Sequence, residues 1–418
     1  MLSQNLMSLI DTWMVGRLGN TALAAIGVGS FIVFLCHAVT LGMSIGVQTT
    51  TARLVGQGKT ASFAKPLNAA LTMMVLLAPI YSCLLIVVMP TVLPWINSDE
   101  SVRVQTQPYV EWRLMVIVFV GINFAFRGYL AATHGLKLYL SVTLLMHGLN
   151  VCLNYALIYG HWGAPAMGVA GAGLATALAV TGGSLIYAFA LWRPARAHGY
   201  LSWAGTAARV RAVLAAGLPY GIQQTLFAAG FLALFWIVGQ LGTGPLAAAT
   251  VVTNITLFII LPGIGLSIGA STLVATTLGR QDTAGARAWT LDVIRLTVIV
   301  FALLAAPLLL LPDWILGWFI HDDTVRALAV GPLVIAAIAV LAEPFFLVTT
   351  QALYAARHGR EVMLIAVLIQ WLVFLPLAWW TGPHLGYGLT AIWLLQAAYR
   401  LSQAGLVSLL WWRRFSAA

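Results

Sequence analysis

The chain has 418 residues, 61% of them hydrophobic and only 8% charged, with mean hydropathy +0.94 and a formal net charge of +10. A soluble domain carries about a quarter charged residues, so a soluble enzyme is excluded at the outset. Apolar runs this long and continuous also exclude a β-barrel, whose strands read as short alternating segments. At roughly 33 residues for a helix and its loop, the length allows about twelve transmembrane helices.

The expected spans, in chain order, are Met1–Val15, Leu23–Thr49, Leu67–Ile96, Tyr109–Ala131, Leu138–Tyr159 and Gly168–Trp192. Then follow Val213–Gly239, Leu246–Thr276, Trp289–Leu311, Val325–Ala355, Val362–Trp380 and Gly388–Trp411. Several exceed the ~20 residues that a crossing needs, which predicts tilt or kinks. Pro79, Pro219, Pro262, Pro307 and Pro344 fall inside them and mark where kinks are expected. The first span is short, and the native chain is expected either to start upstream of Met1 or to lack half of its first helix. No cleavable signal peptide is expected, since apolar sequence runs from Met1 into a span-like pattern.

Basic residues gather after the even-numbered spans: Arg53, Lys59, Lys65, Lys137, Arg193, Arg196, Arg209, Arg211, Arg280, Arg287, Arg357 and Arg360. Acids gather after the odd-numbered ones, at Asp99, Glu100, Asp313, Asp322 and Asp323. The positive-inside rule then places both termini in the cytoplasm. The net charge is a topology signal, and no nucleic-acid partner is expected. Cys36, Cys83 and Cys152 lie in apolar stretches without paired spacing and read as small hydrophobes.

An internal repeat divides the chain. WMVGRLGNTALAA (Trp13–Ala25) matches WIVGQLGTGPLAA (Trp236–Ala248), GMSIG (Gly42–Gly46) matches GLSIG (Gly265–Gly269), and Gly56 matches Gly279, all at an offset of 223. AATHG (Ala131–Gly135) matches AARHG (Ala355–Gly359) at 224. An even number of spans separates the copies, so the halves share one orientation, and parallel repeats are a transporter architecture. The fold class expected is an all-α polytopic membrane protein of two six-helix lobes. They cover residues 1–192 and 212–418, joined by a basic cytoplasmic loop at 193–211.

IDTWMVGRLGNTALAA (Ile10–Ala25), followed by GVQTTTARLVGQGK (Gly46–Lys59), resembles the multidrug and toxic compound extrusion (MATE) family. The resemblance continues through LNVCLNYALIYGHWGAPAMGVAGAGLATA (Leu149–Ala177) and GLPYGIQ (Gly217–Gln223) and covers nearly the whole chain. It implies a V-shaped pair of lobes around a large cavity in the bacterial inner membrane. It implies export of lipophilic, cationic drugs or toxic organic cations in exchange for H⁺ or Na⁺. Membrane lipid is the other expected partner, the working unit a monomer, and no cofactor is expected beyond the coupling ion.

Asp11 is the first candidate for that coupling. A carboxylate in hydrocarbon costs at least ~2.5 kcal/mol and needs a partner, an ion or a proton. The plainer alternative is an interfacial aspartate capping the next loop. Asn150 and Asn154 stand one helical turn apart on a single face, and Thr176 lies in the sixth span. The resemblance makes Asp11 the coupling carboxylate of the amino lobe and sets Asn150, Asn154 and Thr176 around it. Members of the DinF branch usually carry Asp where Asn154 stands, which leaves Asp11 as the lobe's sole strong carboxylate. Interhelical hydrogen bonding is the alternative for the amides.

The candidate carboxy-lobe site comprises Glu343, beside Pro344, with Arg400, Gln223 and Gln224. NorM-like members place a Glu where Phe227 stands, so their second ion site is incomplete here, and a Glu343–Arg400 ion pair is the preferred reading. Phe31, Phe34, Phe227 and Phe231 are the candidate cavity aromatics, suited to a lipophilic cation. Trp192, Trp314, Trp318, Trp411 and Trp412 read as interfacial or lipid-facing.

Two alternatives to drug export remain. GxSxG at Gly42–Gly46 and Gly265–Gly269 would suit a hydrolase elbow, but that needs a strand-turn-helix context, and duplication favours small-residue helix packing. His147 could be offered as a base, but a hydrogen-bonded core histidine is the plainer reading. A lipid-linked precursor flippase would want a strongly basic cavity. Only Arg113, Arg127 and Arg400 lie at membrane depth, the first two expected near helix ends.

Overall fold

The computed structural model describes residues 2–97, 99–202, 206–320 and 322–416. Among these every regular element is helical. The first half contains α1 (Leu2–Gly16), α2 (Asn20–Ala38), α3 (Leu41–Gly56), α4 (Lys65–Ile96), α5 (Glu100–Met115), α6 (Ile117–Ala132), α7 (Leu136–Tyr159) and α8 (Val169–Trp192). Then come α9 (Thr206–Gly239), α10 (Thr243–Gly279), α11 (Thr283–Leu310), the short α12 (Pro312–Gly317) and α13 (Asp323–Ala339). The chain finishes with α14 (Glu343–Ala355), α15 (Gly359–Leu368), α16 (Leu375–Trp379) and α17 (Gly388–Ser416).

Nine helical segments among the described residues are long and apolar enough to cross a membrane, and the bent pair α5–α6 makes a tenth. With the fifteen-residue α1 and with α17, they follow the twelve expected segments in order. Contacts divide the chain into Met1–Gly221 and Ile222–Ala418, so the division falls inside α9. The loop after α8 packs with the first unit. Asn68 holds it, donating to the carbonyls of Gly199 and Ser202 at 2.8 and 3.0 Å and accepting from Leu201 N–H.

The repeat is written into the backbone. Gly19 and Gly242, the N-caps of α2 and α10, share φ 113 and ψ 176. Left-handed residues recur at the same offset of 223: Gly58 with Gln281, His134 with Arg357, and Gly163 with Gly386. The 224-residue offset of AATHG is therefore a slip in the sequence match, for the turn itself repeats at 223.

Helices inside the first unit approach closely where a side chain is missing. A Cβ on Gly128 would stand 2.3 Å from the Ser44 carbonyl, and Tyr109 is wedged between Gly29 of α2 and Gly173 of α8. The GxSxG stretch packs the same way, Gly42 against the Gly217 carbonyl and Gly46 against Val213. The second copy differs from expectation, since nothing among the described residues lies within 4 Å of a Cβ at Gly265 or Gly269. The second unit is built on Phe301, Leu316, Leu333 and Ile392, all fully buried. Trp192, Trp314, Trp318 and Trp412 are exposed, as lipid-facing residues would be; Trp411 is instead buried and stacks on Phe415.

Candidate functional site

Three helices of the first unit converge on Asp11. α7 contributes Asn150 and Asn154 from one face, one turn apart, and α8 contributes Thr176. Asn154 Nδ2 donates to Asp11 Oδ1 at 2.5 Å and to Asn150 Oδ1 at 3.2 Å. The Thr176 hydroxyl is 3.0 Å from Asp11 Oδ2 and accepts from Asn150 Nδ2 at 3.1 Å. All four residues are at most 2% exposed. The Asp11 carboxylate thus meets side-chain donors of α7 and α8, not the loop N–H groups that a capping role would need.

Beside Asp11 opens a cavity of about 240 Å³ within the first unit. Met7, Phe34, Tyr109, Phe124, Tyr139 and Tyr187 give it apolar walls, and Arg113, Arg127, His37 and His147 also face it. Phe31, expected beside Phe34, is not in the lining.

Arg113 corrects the sequence reading, whereas Arg127 lies near the end of α6 (Ile117–Ala132), as expected. The fourth span begins at Glu100, well before Tyr109, so Arg113 sits next to the 49° bend between α5 and α6, far from either end of the pair. No proline stands at that bend. Its freed carbonyls are caught instead by neighbouring helices: Ser82 Oγ donates to Leu114 O at 2.7 Å, and His37 Nε2 lies 3.3 Å from Arg113 O. Arg113 reaches Tyr109 Oη at 3.4 Å, and Arg127 Nε donates to Ser44 Oγ at 3.0 Å while its guanidinium lies over Phe124.

The second unit is arranged differently. Arg400 Nε is 3.2 Å from Glu343 Oε1, with the guanidinium 5.2 Å above Phe227 and 5.3 Å from Tyr399. Pro344 follows a 3₁₀ turn at Val340–Ala342 that breaks the tenth span and begins α14 with Glu343. A cavity of only about 40 Å³ adjoins the pair, lined by Phe231, Thr253, Leu257 and Trp393. Gln223 and Gln224 do not reach it; Gln223 accepts instead from Tyr354 Oη at 2.5 Å. Phe227 and Phe231 meet edge to face at 4.9 Å. Sequence reading missed the π-helical turn Ile369–Phe374, from which Gln370 and Trp371 donate to the Phe227 and Leu226 carbonyls.

Both GxSxG serines lie within helices, Ser44 in α3 and Ser267 in α10, rather than on a strand-to-helix turn. Among the described residues no group of three His, Cys, Asp or Glu side chains is placed to hold a metal ion.

Twelve helical segments in two equivalent halves, each with polar groups buried among its spans, define a membrane transporter. Comparison with known proteins is specific. The MatE family profile matches residues 1–156 and 219–380, and the chain belongs to the MATE family of multidrug efflux transporters. It is 28% identical to a probable multidrug resistance protein NorM from Synechococcus sp., over 95% of this chain and 87% of that one. It is 27% identical to the multidrug resistance protein NorM of Burkholderia vietnamiensis, over 99% and 90%. The fold is similar to that of a multidrug resistance MATE family transporter solved in an outward-facing conformation, with TM-score 0.90 at 18% identity over 100% of this chain and 93% of that one. It also matches the bent form of the Vibrio cholerae MATE transporter VcmN, with TM-score 0.88 at 18% identity over 100% and 94%. The protein is thus an integral membrane transporter of small molecules.

Proposed function

We propose that the protein exports amphipathic organic compounds across the bacterial inner membrane in exchange for protons, with Asp11 as the proton carrier. One observation carries the reading: among the described acids only Asp11 and Glu343 are buried, and Glu343 is ion-paired. Asp11 has no such ion pair: it is hydrogen-bonded by Asn154 and Thr176 and feels the Arg113 charge only at a distance, at the edge of a cavity large enough for cargo.

A sodium ion wants several oxygen ligands converging on one point. Asn154 turns its Nδ2 toward Asp11 and Asn150 Oδ1, an orientation that supports a proton rather than a cation between them. A proton needs no further ligand. Taking it up converts one Asp11 oxygen from acceptor to donor and rearranges the bonds that tie α1 to α7 and α8. The basic loops after even-numbered spans support cytoplasmic termini. The single chain, with its two repeats, is the working unit. Aromatic rings alone would accept a lipophilic cation, but the guanidiniums in the same wall act on cargo charge more strongly.

The test is export from proteoliposomes under separately imposed pH and Na⁺ gradients. An inward pH gradient is expected to drive export, and a protonophore to stop it. Export driven by Na⁺ with the pH gradient collapsed, and indifferent to protonophore, would overturn the reading.

A further inference from the structure

We infer that the amino-terminal cavity takes amphipathic organic anions, pairing their acidic group with Arg113 and Arg127. The inference rests on the proposed export reading and names the cargo of that same cavity.

Both guanidiniums line the cavity, and among the described residues neither has a carboxylate within salt-bridge distance, though Arg113 is close enough to Asp11 for their charges to interact. Beyond Tyr109 Oη for Arg113 and Ser44 Oγ for Arg127, their N–H groups have no hydrogen-bond partner among the described residues. Asp11 hydrogen-bonds neither of them, its oxygens facing Asn154 and Thr176, and acts on Arg113 through charge alone. Two guanidiniums against the single Asp11 carboxylate leave one positive charge over, and a guanidinium fork matches a carboxylate, sulfonate or phosphate.

The repeat sharpens the point. At the 223-residue offset the two cavities occupy equivalent places: Ser30, Val33 and Phe34 line one, Thr253, Thr256 and Leu257 the other. In the carboxy-terminal cavity Glu343 neutralises Arg400. The position equivalent to Glu343 in the amino-terminal cavity is Val120, so no acid stands at that place and Asp11 is the lining's one carboxylate.

Cargo must enter while Asp11 is ionised, because proton release precedes loading in an exchange cycle. The lining then holds one carboxylate and two guanidiniums, a formal net charge of +1. An organic monoanion brings the cavity to zero, whereas a monocation raises it to +2 in a poorly solvated site. Protonation of Asp11 alone would not repel an anion. Release then depends on the rearranged bonds between Asp11, α7 and α8, not on competition between charges. An anion leaving as one proton enters moves two charges per cycle, so an inside-negative potential accelerates export.

The experiment uses a matched probe pair, 7-diethylaminocoumarin-3-carboxylate and its trimethylammonioethyl amide. Binding is read by fluorescence polarisation without any gradient, and export is read in proteoliposomes. The carboxylate is expected to bind and to be exported faster at inside-negative potential. Arg113→Gln and Arg127→Gln each lower its affinity about tenfold or more, as loss of a buried charge pair does, while the melting temperature is retained and the cationic amide binds more tightly than to the wild type. Arg127→Lys restores part of the carboxylate affinity. The inference is overturned if the wild type binds only the cationic amide, or if folded Gln variants lose both probes alike. Carboxylate binding without pH-driven export would leave the cargo assignment standing and sink proton coupling; pH-driven export of the amide alone would do the reverse. Vesicles of phosphatidylglycerol and of phosphatidylcholine identify the source of the anion. Competition by phosphatidylglycerol assigns an anionic lipid, its absence a soluble organic acid, and both carry the acidic group that the inference names.

Discussion

In the amino-terminal half a carboxylate, two amides and a hydroxyl meet across three helices. The positions 223 residues later hold Leu234, Val373, Leu377 and Tyr399. In the carboxy-terminal half the buried acid lies elsewhere, at Glu343, already bound to Arg400. Turn geometry has been kept between the halves to the level of individual left-handed residues, while buried charge has not. The lesson is one of division of labour. A half whose buried acid is ion-paired holds its shape, and a half whose acid is hydrogen-bonded by uncharged side chains, with Arg113 acting only at a distance, can change protonation.

The sharpest way to break this comparison is to remove each buried acid in turn. Asp11→Asn keeps the volume and one hydrogen-bond acceptor but cannot exchange a proton at neutral pH. Gradient-driven export in proteoliposomes should fall to background, while melting and cargo binding stay close to wild type. Wild-type export by the Asn variant would reduce Asp11 to a structural residue. Glu343 should behave in the opposite sense. Glu343→Gln or Arg400→Gln strands one buried charge and should each cost about 3–5 kcal/mol of stability, with the double variant losing less than their sum. Additive losses in a thermal double-mutant cycle would dissolve the pair and with it the contrast between the halves.

Much of the amino-terminal cluster was legible because its parts follow local rules. Asn150 and Asn154 are one turn apart, and a buried aspartate demands partners. The cationic wall was not legible. Hydropathy starts the fourth span at Tyr109, although the polar stretch from Glu100 is already helix, begun by the Asp99 cap on Ser101 N–H. That shift moved Arg113 from a mid-span bend to an apparent helix end. The Asp-Glu-Ser run at 99–101 was the available signal, as an N-cap before a helix. The bend itself, held by Ser82 and His37 from other helices, leaves no local trace, and neither does the π-helical turn fixed by Gln370 and Trp371 on α9. Trp411 was misassigned because position near a helix end does not say which face a ring is on.

The duplicated GxSxG stretch offers a subtler test. A methyl on Gly42 would stand 2.2 Å from the Gly217 carbonyl oxygen, and backbone cannot swing aside as a flexible side chain can. Gly42→Ala should therefore cost about 1–3 kcal/mol through overpacking. At Gly265 a methyl meets nothing described within 4 Å, so the same change should stabilise by up to about 1 kcal/mol through helix propensity. Equal losses at the two glycines, read as melting temperatures in detergent, would mean that the halves pack alike after all.

The smallest expected effect concerns a feature the halves share. Asp99 and Asp322 stand at equivalent positions and cap α5 and α13, accepting from Ser101 N–H at 2.9 Å and Thr324 N–H at 2.8 Å. Hydroxyls of the same two residues add a bond each at 2.7 Å. These bonds favour the ionised form and hold both carboxyls below the usual aspartate range, the side-chain hydroxyl contributing most in each case. The sign follows from that depression: the cap stabilises fully above the ordinary aspartate value and is lost as pH falls through the lowered one. Both groups are fully solvated, so the gain is slight and salt-sensitive. Asp99→Asn and Asp322→Asn should keep a capping oxygen and flatten the acid limb of the melting curve, whereas Ala at either position should lower melting at neutral pH as well. Because the two caps are equivalent, the two Ala variants should shift by similar amounts. A large difference between them would show that the halves differ in stability at these caps as well as in buried charge.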